Sequence, residues 1–277
     1  MTPTFAPALR FFVGALLALS GTTASHLAQA ASFEVAIAPS RFEISGKSAQ
    51  RVGQSLTIYN LGASASEVSV RTIDWTYSPD GQIGYVDELL PGSCRPWVTL
   101  ERKALRIAAN SKASFRFQID VPDDAPRTEC RFMLAIEGVE PATRALIQDG
   151  GASMSLPVSG RIAVAVYLAV NGAESKLEMK ELAVRQVQGK PAPVVVVTNN
   201  GDAHGRLDGS LDAINGDRQE FELVPEGTPV MPGQTRTLAL TVKREPGDKP
   251  VELVFPLKAR GILDWEKGSF RVDAQFK

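Results

Sequence analysis

The sequence predicts an all-β chain built as two β-sandwiches in tandem. Three observations carry that reading. Segments of alternating or β-branched character recur at short spacing, and almost nothing keeps a helical period. Gly, Pro, Asn and Asp punctuate them, with 23 Gly and 18 Pro among 277 residues supplying the turns. The pattern pauses once, at the small polar run Asn171-Gly172-Ala173-Glu174-Ser175, and then restarts.

The elements follow in order. Residues 1–30 are expected to be a cleavable export signal rather than part of the fold. Arg10 precedes the apolar run FFVGALLAL over 11–19, which is too short to span a bilayer, and Ala28-Gln29-Ala30 has the small-x-small form of a cleavage site. The first sandwich is expected over 31–171, from the segments FEVAIAP, SLTIYNLG, EVSVRTIDWTYSPDGQIGYV, ALRIAANSKASFRFQIDVP and CRFMLAIEG. Within them Ser78-Pro79-Asp80-Gly81 is a turn in which Pro sets φ and Gly accepts positive φ. Residues 139–152, VEPATRALIQDGGA, are longer than a hairpin needs and are expected to be a loop. The second sandwich is expected over 172–277, from seven segments: LEMKELAVRQV, PVVVVTNNG, GRLDGSLDAI, EFELV, RTLALTV, VELVFPLKA and FRVDAQF.

The segment SMSLPVSGRIAVAVYLAV, residues 153–170, stands out. Met154, Leu156, Val158, Ile162, Val164, Val166, Leu168 and Val170 share one parity, and Ser, Pro, Arg, Ala and Tyr fill the other. A period of two sends alternate side chains to opposite faces of a strand. Ordinary strands run about 5–6 residues, so this reads as one strand of roughly three times that length. Two strands broken at Pro157–Gly160 would satisfy the same pattern.

The chemistry is sparse. A formal net charge of −1 offers no electrostatic footprint for nucleic acid or an anionic membrane. Cys94 and Cys130 are the only cysteines, and in an oxidising compartment such a pair is expected to form a disulfide, the alternative being two buried thiols. After residue 30 the sole histidine is His204, in the turn-like NNGDAHGR, and neither a metal-ligand set nor a nucleophile–base arrangement converges on it. No phosphate loop, dinucleotide fingerprint or calcium loop is present. No catalytic residue, metal or cofactor is expected, and the chain is not expected to be an enzyme.

The order of several short motifs resembles the PapD-like periplasmic chaperones of the chaperone–usher pathway. FEVAIAPSRFEISG is followed by LTIYNLG, by TIDW with a DG turn, by CRPWVTL, by IDVPDDAP before a long strand, and by the 153–170 segment itself. The likeness covers about residues 33–170, with TNNGDAHGR and MPGQTR as looser matches beyond. It implies two immunoglobulin-like sandwiches in a boomerang arrangement, a periplasmic location, and a monomer when free. It also implies a partner: a pilus or fimbrial subunit lacking its last strand, delivered to an outer-membrane usher. The long strand would then be lent to the subunit by β-augmentation, with Met154, Leu156 and Val158 donated into its groove. The family grips the subunit's terminal carboxylate with two cations, for which Arg41 and Arg161 are the positions available here, although the second is usually Lys. A disulfide from Cys94 to Cys130 departs from the bridge between adjacent strands seen in some members. Two other readings remain: an exported structural or adhesive component that completes a neighbouring copy, and a carbohydrate-acting module using Trp75, Trp97 or Trp265.

Overall fold

A computed structural model describes residues 33–139, 143–149, 152–158, 160–247 and 250–277, excluding the side chains of 140–159. The export signal expected over 1–30 lies outside the described residues. The fold is all-β. Its first half contains β1 (Val35–Ala38), β2 (Arg41–Gly46), β3 (Arg51–Asn60), β4 (Ser66–Tyr77), β5 (Ile83–Val86), a 3-10 turn (Arg95–Trp97), β6 (Val98–Leu100), β7 (Ala104–Ile107), β8 (Ser111–Asp120), β9 (Thr128–Gly138), β10 (Thr143–Asp149), β11 (Ala152–Val158) and β12 (Arg161–Val170).

Two sheets face each other, one in the order β1-β3-β8-β6 and one in the order β2-β12-β9-β4-β5, with β7 also on β4. Alternation decides what lies between them. Leu56, Ile58, Phe115, Phe117 and Ile119 point inward from one sheet, and Phe132, Leu134, Ile136, Val164, Val166 and Leu168 from the other. The rings of Phe42, Phe117 and Phe132 meet edge to face at 5.2 and 6.2 Å. Each such buried side chain stabilises the fold by about 1.5–3 kcal/mol relative to exposure. A disulfide joins Cys94, beside the 3-10 turn, to Cys130 on β9, with Cα atoms 5.6 Å apart.

The second half forms one sheet in the order β13-β14-β17-β16-β15-β18-β19. Its strands are β13 (Leu177–Val187), β14 (Lys190–Asn199), β15 (Asp208–Ile214), β16 (Glu220–Pro225), β17 (Thr235–Val242), β18 (Leu257–Trp265) and β19 (Gly268–Phe276). The sheet wraps around Leu177, Val195, Leu211, Leu223, Leu238, Leu263 and Val272, and its outermost strands, β13 and β19, approach each other. Gln188-Gly189 joins β13 to β14 with φ of 51° and 76°, the two-residue turn that matches strand twist and favours Gly at its second position. Among the described residues, no strand up to Val170 pairs with a strand from Leu177 onward.

Three local expectations change. Residues Thr143–Asp149, expected as loop, form β10 and pair antiparallel with β11, Thr143 opposite Val158. Turn residues flank this stretch, and TRALIQD between them alternates well enough to lie as a strand once a partner is alongside. The long segment is two strands, not one. β12 matches β9 from Arg161 opposite Glu137, whereas β11 matches β10 from Val158 opposite Thr143. More residues therefore intervene on the β9–β10 side than on the β11–β12 side, and the ladder cannot run through. At the break, the ring of Phe33 lies where a side chain on Gly160 would sit, so only Gly fits there. Lastly, VELVFPLKA is strand only from Leu257.

Candidate functional site

The β12 strand has two edges with different fates. β9 pairs along its whole length, Arg161 to Val170, but β2 runs parallel to it only over Ala165–Val170. On the β2 side, the backbone of Arg161–Val164 has no strand partner among the described residues. β11 adjoins that open stretch in chain order and, among the described residues, pairs only with β10, forming a two-stranded arm whose other edge has no strand partner. Pro157, with no N–H to donate, lies in this edge strand, a sheet position that tolerates it. The side chains of Met154, Leu156 and Val158 fall outside the described residues.

Arg41 opens β2 at the level of Ala165. It is half exposed, and its Nε donates to Glu43 Oε1 at 2.7 Å. Arg161 lies four residues further along β12, roughly 13 Å by strand rise, and its Nε is 2.5 Å from Glu137 Oε1. The two arginines predicted to act together therefore share no partner. Side chains from the second sandwich meet Glu43, the partner of Arg41. Arg206 Nε donates to Glu43 Oε1 at 3.2 Å, and its Nη1 donates to Gly227 O at 2.8 Å. His204 Nε2 lies 3.6 Å from the same Glu43 oxygen.

These groups line a cleft of about 590 Å³ between the sandwiches, together with Tyr167, Glu129, Trp265 and Asp264. Its floor is a tight cluster. Glu129 comes from β9, where odd-numbered residues face away from the first core, and its side chain is 2% exposed. The backbone N–H of His204 donates to Glu129 Oε2 at 3.0 Å, and His204 Nδ1 is 2.5 Å from that atom. The imidazole stacks on Tyr167 with ring centres 3.9 Å apart. Burial pushes the Tyr167 hydroxyl up to about 12. Contact with His204, opposed by burial and reinforced by Arg41, holds Glu43 down at about 2. Burial lowers the pKa of His204, but its contact with the Glu129 carboxylate and the nearby Glu43 carboxylate outweigh that, and the net shift is upward.

A second contact fixes the same pair of sandwiches. Met231 is buried against Ile73, Trp75, Tyr77, Met133 and Tyr167. Gln234 Nε2 donates to Tyr77 O at 2.6 Å. Arg236, with a 2% exposed side chain, donates from Nε to Pro79 O at 3.1 Å and lies 4.8 Å from the centre of the Tyr77 ring. Trp75 is buried in this seam and offers no platform for a sugar. Among the described residues, no three His, Cys, Asp or Glu side chains are grouped to hold a metal ion.

Sequence reasoning noted His204 but read it as a turn residue, and it passed over Arg206 and Glu129. The available signal was a lone His in a Gly-rich turn with an Arg two residues on. Its partners, Glu43 and Glu129, come from elsewhere in the chain.

No family model matches the chain, and no curated relative does either. Among solved structures, the chain is similar to the YadV chaperone, with 12% identity and a TM-score of 0.46 over 87% of this chain and 99% of that one. It is similar to the Escherichia coli chaperone DraB, with 13% identity and a TM-score of 0.44 over 88% and 97%. It is similar, too, to a chain from the Salmonella enterica SafA pilin complex with the SafB chaperone, with 16% identity and a TM-score of 0.44 over 88% and 97%.

Proposed function

We propose that the chain is a periplasmic chaperone for pilus or fimbrial subunits, which binds an unfinished partner sandwich along the open edge of β11 and the start of β12. The observation that carries this reading is the edge itself. On the side away from β10 and β9, neither β11 nor Arg161–Val164 pairs with a strand of this chain among the described residues. Exposed, unpaired strand edges are aggregation hazards that soluble proteins normally blunt, so a protein that keeps one has a use for it. In β-augmentation the added ladder provides affinity, and alternate side chains provide fit. In the sequence, Met154, Leu156 and Val158 share the parity of the core-facing Ile162–Val170, the pattern that a donated apolar rail requires.

Arg41, half exposed at the mouth of the cleft, is the anchor for the client's terminal carboxylate, and Arg161 lies further along the same edge. Delivery to an outer-membrane usher completes the reading. The test is co-expression with a fimbrial subunit and recovery of the complex from the periplasm. Leu156→Glu removes capture, because a charge entering an apolar pocket without a partner costs several kcal/mol, and Arg41→Ala weakens it while leaving the fold intact. Undiminished recovery with Leu156→Glu rules the reading out.

A further inference from the structure

The cluster on the cleft floor has a property that stands apart from client binding. His204 belongs to the second sandwich, and the carboxylates on either side of it belong to two different strands of the first: Glu129 on β9 and Glu43 on β2. Its ring is buried, with one face on Tyr167 of β12. Glu174, Asp208, Asp264 and Glu266 line the same cleft, and among the described residues the charged or titratable groups that touch the ring or its two carboxylates come from four places. Glu43 and Arg41 come from β2, Glu129 and Arg131 from β9, Tyr167 from β12, and Arg206 from the same loop as His204.

The two imidazole nitrogens are not equivalent in what they can serve. Nδ1 meets Glu129, which is almost wholly buried; its other oxygen has only Arg131, at 4.0 Å. Nε2 faces Glu43 Oε1 at 3.6 Å. A neutral imidazole carries one N–H, so it can satisfy one carboxylate and must turn a lone pair toward the other. Only the imidazolium presents an N–H to both.

We infer that His204 is a proton-operated latch, which joins the two sandwiches when its ring is doubly protonated and releases one carboxylate when it is not. The direction of the pH dependence follows. The His204 pKa is raised in the fold, so the stabilisation is complete below the ordinary histidine value of about 6.5 and is lost as pH rises through the higher folded value. Glu43 is held at about 2, so its share is complete above the ordinary Glu value of about 4.3 and is lost as pH falls toward 2. The latch is fully closed between those limits.

The test uses the full chain and two readouts. In an NMR titration, the imidazole signal that disappears in His204→Gln should move with a midpoint above about 6.5, and Glu129→Gln should lower that midpoint. Amide exchange reads the seam directly. The N–H of Glu129 donates across the seam to Asp202 O, and that of His204 donates to Glu129. Normalised to the buried amide of Leu168, both should exchange faster as pH rises from 6 to 9 in the natural protein, with no such trend in His204→Gln. A midpoint at or below about 6.5, or equal trends in the two proteins, overturns the latch. Neither readout involves a client, so the latch and the chaperone reading stand or fall separately.

Discussion

In the second sandwich, the sheet from β13 to β19 curls until its two outermost strands approach each other. In the first, β12 is paired on both sides from Ala165 to Val170 and on one side from Arg161 to Val164, and it is preceded in the chain by the separate two-stranded β10–β11 arm. The same alternating pattern thus serves two ends. Among the described residues, the curl brings the two end strands of the second sheet toward each other without pairing them. The first sandwich loses pairing by degrees toward the arm, which suits a surface that accepts a strand from outside. What separates the two is the starting point of β2: a parallel neighbour that begins four residues late leaves the opening.

Perturbations of the first sandwich sharpen this contrast. The largest effect is expected from Phe132→Ala. Its ring is fully buried between the sheets, and its loss should cost about 3–5 kcal/mol, read as a drop in the denaturant midpoint. Leu211→Ala, equally buried in the second sandwich, should cost about 2–5 kcal/mol. If the two sandwiches unfold as one unit, both substitutions move a single transition; separate transitions would show that the seam does not couple them. Replacing Cys94 and Cys130 by Ser should cost about 3–4 kcal/mol in the chain-entropy view of the 36-residue separation, felt only in the first sandwich. Gly160→Ala comes next, at about 1–3 kcal/mol, because the new methyl meets the Phe33 ring at the root of the arm. Arg51→Ala is the smallest. It breaks an exposed pair with Asp120, worth about 0–1 kcal/mol, and a larger loss would mean that the β3–β8 edge contributes more than its exposure implies.

Much of this architecture was legible in the sequence, and the misses share a cause. The strands of both halves, the Ser78–Gly81 turn and the inward parity of Ile162–Val170 follow from periodicity and turn chemistry, which are local. The bridge from Cys94 to Cys130 followed from counting thiols in a chain expected to be exported. β10 was missed because its strand character depends on β11 lying beside it. The break before Arg161 was missed because it arises from a mismatch between two ladders, and a single segment shows only its own period. The cleft was the least legible part. His204 meets Glu129 across 75 residues of sequence, and Arg206 meets Glu43 across 163; nothing in the neighbourhood of either residue announces the other. Arg161 was chosen through the resemblance, as the basic residue available low on the long strand; it lies four residues along β12 from the level of Arg41.

The Ser78–Gly81 turn carries one more consequence. A polar hairpin tip with Pro and Gly is where a designer would insert a tag or graft a peptide, since such tips usually tolerate added chain. Here the carbonyls of Tyr77 and Pro79 are held by Gln234 and Arg236 from the far sandwich. The tip works as a key already seated in its lock, and even a short insertion there would pry at the joint between the halves.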